Sequence, residues 1–210
     1  MYTNFINNET HRFKKLSMAF EFAAKAHANQ YRKSTDIPYI SHLMSVSALV
    51  FENGGTEDQA IAGLLHDVIE DADPPTSMSW LREQIAINFG QDVLAVVDAC
   101  TDGVPDDYGN KPAWEPRKQA YLAQLQNKPP EVLLVSCCDK LHNARAILTD
   151  LNTIGVEVFN RFSSSKEQTL WYYQSLCNLF LEKLHNQPGE IAARILKSTV
   201  EEIKLKAGLN

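Results

Sequence analysis

AIAGLLHDVIEDAD, residues 60–73, is the stretch from which the rest of the chain can be read. Thr56, followed three residues later by Gln59, forms a capping-box signature. It predicts a helix over 57–72, which Pro74-Pro75 closes. Within that span His66 and Asp67 come directly after Ala62-Gly63-Leu64-Leu65, and Glu70 and Asp71 stand four residues after each of them. At about 3.6 residues per turn, positions four apart lie on nearly one face. One edge of the helix therefore presents an imidazole and three carboxylates. A solvated acidic face is a poor reading, because acids near a helix C-terminus oppose the macrodipole and the lead-in is wholly apolar. Buried and unpaired, these groups would repel one another at high cost. A divalent cation resolves the conflict most simply.

Two further polar residues interrupt apolar helices in the same way. In VLLVSCCDKLHNARAIL, residues 132–148, Asp139 follows a largely apolar run and Asn143 comes four residues later. His142 points roughly 60–100° away from Asn143 on a regular helix. In PYISHLMSVSALV, residues 38–50, His42 stands at the start of an apolar helix. His42, His66, Asp67 and Asp139 together make a two-histidine, two-carboxylate set. Mixed imidazole and carboxylate ligation suits Mn²⁺, Fe²⁺, Zn²⁺ or Co²⁺, whereas Mg²⁺ favours oxygen alone.

Outward from these segments the chain reads as helix throughout. Phe13, Leu16, Phe20, Ala23, Ala24 and His27 recur at three- and four-residue steps. Further helices are expected over 39–51, from Ser77 or Ser79 to 89, and over 91–102, 114–126, 131–151, 167–186 and 190–206. DGVPDDYGNKPAW, residues 102–114, is the best candidate for a mobile loop. There is no convincing strand and no internal repeat, so the expectation is an all-α bundle of about eight or nine helices. No linker divides the chain, and 1–210 is read as a single domain.

Hydrophobic residues make up 44% and charged residues 22% of the 210, which argues against wholesale disorder. No apolar run approaches the ~20 residues of a bilayer span, and the N-terminus carries no signal-peptide core. A cytoplasmic protein without a membrane partner is expected. Twenty basic residues against 26 acidic give −6, which argues against general nucleic-acid binding. A local basic pocket or a metal can still hold a small anion. The four cysteines lack CxxC spacing and are read as reduced packing residues.

The segments RKSTDIPYISH (32–42), LLHDVIED (64–71) and CDKLHNAR (138–145), with His42, His66-Asp67 and Asp139 in that order, resemble the HD metal-dependent phosphohydrolase superfamily. They are most similar to the hydrolase domain of the bifunctional alarmone synthetase/hydrolases and to the stand-alone small alarmone hydrolases. The resemblance is close over about 13–151, with 152–210 as a helical extension. It implies an HD-type fold, with Mn²⁺ held by His42, His66, Asp67 and Asp139 and catalytic duty for Glu70 and Asp71. It also implies substrate contacts from Arg32, Lys33 and Asn143. Lys140 and Arg145 would join Arg32 and Lys33 in neutralising phosphate. The implied reaction hydrolyses the 3′-pyrophosphate of a guanosine alarmone, a small nucleotide substrate. The length leaves no room for a synthetase domain, so degradation alone is expected.

Leu43 stands where the family often has proline, and Ala146 where the bifunctional enzymes tend to have a polar residue. The second departure bears on nucleotide selectivity and keeps two alternatives open. One is an HD phosphohydrolase for another nucleotide, such as an adenine alarmone, the 2′-phosphate of NADPH or a nucleoside phosphate. The other is a non-catalytic nucleotide-binding helical module. Arg117, Lys118, Arg161 and Lys166 are read as ordinary surface or tail residues, and Trp171, Tyr172 and Tyr173 as packing. His11, His27, His142 and His185 receive no functional role.

Overall fold

The computed structural model describes residues 13–72, 77–103 and 112–209. Among the described residues nine α-helices follow in chain order: α1 (Lys14–Ala26), α2 (Ile40–Glu52), α3 (Glu57–Leu65), α4 (Met78–Phe89), α5 (Gln91–Cys100), α6 (Trp114–Gln126), α7 (Pro130–Ile154), α8 (Lys166–Lys183) and α9 (Glu190–Lys206). A 3-10 helix, Gly155–Arg161, links α7 to α8. Extended pairing among the described residues is limited to one antiparallel bridge between Tyr31 and Pro38. The all-α expectation holds. Most of the predicted mobile loop, 104–111, lies outside the described residues. No helix among the described residues is long and apolar enough to cross a membrane.

α7 is the axis of the molecule. Pro130 opens it, where a missing N–H costs nothing. Its run Val132–Leu141 is buried apart from Lys140 at one edge. A helix apolar on almost every side must be covered on every side, and α7 touches α2, α3, α5, α8 and α9. Asp139 therefore sits in the interior because the helix carrying it does.

α2 and α3 cross closely because Gly63 has no side chain. A Cβ at that position would lie 3.2 Å from Ser47 Cα and 3.3 Å from Ser47 N on α2. The capping box read at Thr56 is present: Gln59 N–H donates to Thr56 Oγ1 at 3.3 Å, and Thr56 N–H donates to Gln59 Oε1 at 2.8 Å.

The helix predicted over 57–72 is shorter than expected. α3 ends at Leu65, and 66–71 continue as hydrogen-bonded turns. His66 Nδ1 takes the Gly63 carbonyl at 2.8 Å, the acceptor that a continuing helix would offer to the N–H of Asp67. The next backbone link is the tighter one from Val68 N–H to Leu65 O, 3.0 Å. The polar residues thus lie just beyond the negative end of α3's dipole, where carboxylates call most strongly for a cation.

Candidate functional site

His42 enters from the first turn of α2, His66 and Asp67 from the end of α3, and Asp139 from the middle of α7. His42 and His66 are each only 1% exposed. One ligand-capable atom from each of His42, His66 and Asp139 lies within 4.8 Å of the other two. His42 Nε2 is 3.2 Å from Asp139 Oδ1, and His66 Nε2 is 3.5 Å from the same oxygen. Asp67 completes the group, with Oδ2 3.0 Å from His66 Nε2 and 3.7 Å from His42 Nε2. The set read from the sequence therefore converges, although it is spread over almost one hundred residues.

This donor set fits a divalent metal. His66 Nε2 is buried and makes no hydrogen bond to any described residue, while two carboxylates stand around it. Burial opposes charge on the His66 ring, yet Asp67 and Asp139 outweigh it and raise its pKa well above the ordinary histidine value. The same locus that favours a proton there favours a metal cation. Burial, reinforced by His66, lowers the pKa of His42 and keeps that ring a neutral donor. Burial alone would raise Asp139, but Lys140 and the two imidazoles hold it well below the usual carboxylate range. Asp67 is likewise held low, chiefly by His66 against its own burial.

Each candidate ligand is braced by a neighbour. Tyr39 O–H donates to Asp67 Oδ2 at 2.7 Å. Lys140 Nζ donates to Asp139 Oδ2 at 2.7 Å, and Asn143 Nδ2 donates to Asp139 Oδ1 at 2.6 Å. Arg32 in turn donates to Asn143 Oδ1 at 2.6 Å. His66 is oriented by the Gly63 carbonyl, and His42 Nδ1 lies 2.8 Å from His142 Nδ1.

A cleft of about 680 Å³ opens beside this group. Tyr39, Lys140, His142 and Asn143 border both, so the cleft begins at the neighbours of the ligands. Its basic side chains are Arg32, Lys33, Lys118, Lys140, Arg145 and Arg161. Among the described residues Asp150 is its one acidic lining residue, and Arg161 pairs with it at 2.5 Å. A chain of net charge −6 thus concentrates positive charge in one concavity.

The remaining expected residues fall unequally. Arg32 and Asn143 touch each other, Lys140 is bonded to Asp139, and Lys33 and Arg145 line the cleft as exposed side chains. Glu70 and Asp71 do not border this cleft. Glu70 accepts the backbone N–H of Asp102 at 2.9 Å, and Asp71 accepts from Gln30 Nε2 at 2.8 Å. Both carboxylates lie beyond the end of α3 and are engaged by partners outside the His42–His66–Asp139 cluster. Lys166 donates to the Ala207 carbonyl at 2.9 Å, as a tail residue would. Tyr172 and Tyr173 are packing residues with one side on the cleft.

Four neighbours escaped the sequence reading: Tyr39, Gln30, Lys118 and above all His142. Tyr39 lay within the quoted PYISH segment. The others carried no signal in spacing, because their contacts span 16 to 100 positions.

Residues 19–167 match the family model of the HD domain. The chain is 35% identical over 130 residues to the guanosine-3′,5′-bis(diphosphate) 3′-pyrophosphohydrolase MESH1 of Xenopus tropicalis, covering 60% of this chain and 66% of that one. It is 32% identical over 139 residues to a GTP pyrophosphokinase of Streptomyces coelicolor, covering 66% of this chain and 15% of that one. The chain thus spans under two thirds of these curated relatives. A solved structure of a metazoan ortholog of SpoT that hydrolyzes ppGpp superposes with a TM-score of 0.66 at 24% identity, covering 96% of this chain and 99% of that one.

Proposed function

The chain belongs to the HD domain family, and on that premise we propose that it is a metal-dependent hydrolase that removes the 3′-pyrophosphate of guanosine-3′,5′-bis(diphosphate) and its 5′-triphosphate counterpart. One observation carries the reading: a buried His42–His66–Asp139 cluster lies directly behind Tyr39, Lys140, His142 and Asn143, which line a basic cleft large enough for a nucleotide. The names of the relatives point the same way.

His42, His66, Asp67 and Asp139 hold the cation, for which we name Mn²⁺, with Zn²⁺, Fe²⁺ or Co²⁺ able to take the same ligands. When bound, such a cation polarises a phosphoryl oxygen and makes water more acidic. The protein's own groups do the rest. Lys140 and Asn143 hold Asp139 in place while facing the cleft, and Arg32 fixes Asn143. Arg32, Lys33, Lys140 and Arg145 neutralise the phosphates and orient the diphosphate. Glu70 and Asp71 act through water: one accepts its proton and the other returns a proton to the departing oxygen. The water oxygen forms a new bond to phosphorus, and the bond from phosphorus to the 3′ oxygen breaks. The products are pyrophosphate and a guanosine 5′-diphosphate or 5′-triphosphate with a free 3′ hydroxyl.

We place this activity in the cytoplasm, where the four buried free thiols remain reduced. The substrate is a small nucleotide, and the acidic surface speaks against a nucleic acid partner.

The test is a nucleotide panel offered to Mn²⁺-loaded protein, with products resolved by ion-exchange chromatography. Guanosine-3′,5′-bis(diphosphate) should yield guanosine 5′-diphosphate and pyrophosphate. Release of single phosphate, or no turnover of this compound, overturns the reading. Ala146 gives the cleft wall no side-chain hydrogen-bonding group, which favours a second reading with a different base. Adenine alarmones, NADPH and nucleoside phosphates therefore belong in the same panel.

A further inference from the structure

The two inner imidazoles are oriented by different kinds of neighbour. His66 Nδ1 meets the Gly63 carbonyl at 2.8 Å. A carbonyl only accepts, so this bond keeps the His66 proton on Nδ1 and leaves the Nε2 lone pair facing inward. His42 Nδ1 meets another imidazole nitrogen, His142 Nδ1, also at 2.8 Å. The rings stand 4.8 Å apart between centroids. A hydrogen bond between two such nitrogens holds a single proton, and either ring can supply it.

We propose that His142 is a positioning residue that accepts the Nδ1–H of His42 and thereby keeps His42 Nε2 free to bind the cation. The inference rests on the metal-site reading and goes beyond it by giving one unassigned side chain a stated task. A competing arrangement is close at hand. His42 Nε2 lies 3.2 Å from Asp139 Oδ1, so a proton on Nε2 would find an acceptor there and occupy the ligand position. His142 decides between the two, provided that its own proton sits on Nε2 and its Nδ1 offers a lone pair. Outer neighbours of this kind set the tautomer of metal-binding histidines. For His66 the task falls to the main chain, which no substitution removes. For His42 it falls to a replaceable side chain 100 positions away.

The experiment compares Mn²⁺ affinity, measured by equilibrium dialysis with the metal alone, across the parent protein, His142→Leu, His142→Asn and His66→Ala. Leucine fills the space without an acceptor. The asparagine side-chain oxygen can stand where Nδ1 stood. His142→Leu should bind about 10–100-fold more weakly, and His142→Asn should recover most of that loss, because its side-chain oxygen restores the acceptor. If His142→Leu binds as tightly as the parent while His66→Ala loses the metal, the tautomer proposal is wrong and the metal site stands. If His66→Ala also binds normally, the site itself is wrong and the proposal goes with it. Asparagine no better than leucine also refutes the proposal. A second readout needs no variant. In ¹⁵N-labelled protein loaded with diamagnetic Zn²⁺, a scalar coupling across the hydrogen bond should join the two Nδ1 nuclei, with the His142 proton on Nε2. A His142 proton on Nδ1 overturns the proposal.

Discussion

Asp139 shows how much one buried carboxylate can be asked to do. Its two oxygens receive Lys140 and Asn143 while Oδ1 also faces both inner imidazoles. Asp139→Asn keeps the shape and removes the charge. Metal affinity in equilibrium dialysis should then fall beyond the ~10–100-fold typical of a residue that only supports a ligand. Arg32 acts at one remove, through Asn143, and from the cleft side. Arg32→Ala should raise KM for the guanosine substrate by about tenfold, the worth of one charge-assisted hydrogen bond, with a smaller change in kcat. Steady-state kinetics separates the two. At this scale the ligands were legible because each interrupts an apolar run, and polarity in the wrong place is visible in one dimension. His142 was not. It sits beside Asn143 in sequence, its neighbour of consequence is on α2, and helix geometry fixes only a direction from its own axis.

The reading of 57–72 as one helix erred at its end, because periodicity and proline placement do not reveal that an imidazole will take the carbonyl on which the next turn depends. The start was legible, since a capping box is a local sequence device. Gly63 is the contact point of α3 with α2, where a Cβ would press on the Ser47 backbone. Gly63→Val should cost about 1–3 kcal/mol in urea denaturation and also weaken Mn²⁺ binding, because the helices it forces apart carry His42 and His66. On α6, Lys118 is ion-paired with Asp102 and lies 4.6 Å from the Tyr172 ring centroid. Burial, helped by Lys140, lowers its pKa to about 8 from the ordinary 10.5. Folding therefore releases a proton between those values: the unfolded chain binds more protons, and stability rises with pH across that window. Below about pH 8 the cost of burying the charge is present in full. Lys118→Met should be most stabilising relative to the parent at pH 7.5, by at most about 3 kcal/mol, with the gap closing toward pH 10.5. Urea midpoints for both proteins across that range check it.

For the whole molecule, the all-α architecture followed from helical periodicity, with apolar faces recurring in segment after segment, and the nine described helices agree with it. The basic cleft was not visible as such. Its cations come from the 32–33 segment, α6, α7 and the 3-10 helix, and only the packing of those elements gathers them against a net charge of −6. A cation bound by three elements stabilises the folded state alone. Mn²⁺ at about 100 times its Kd adds about 2.7 kcal/mol. For a chain of this size that is a rise of roughly 5–10 °C in Tm. Stripping the protein with EDTA should lower the melting temperature in scanning calorimetry by that amount, and adding back Mn²⁺ should restore it.

The glycine at the α2–α3 crossing makes the gap between the two imidazoles a property of the main chain rather than of the side chains. Remodelling of peripheral loops leaves that gap untouched, which frees the rim to vary with the molecule being processed. A protein engineer wishing to transplant this centre onto another scaffold would need to carry over the paired helices with their close approach, since four correctly chosen residues on a looser frame would stand too far apart to share an ion.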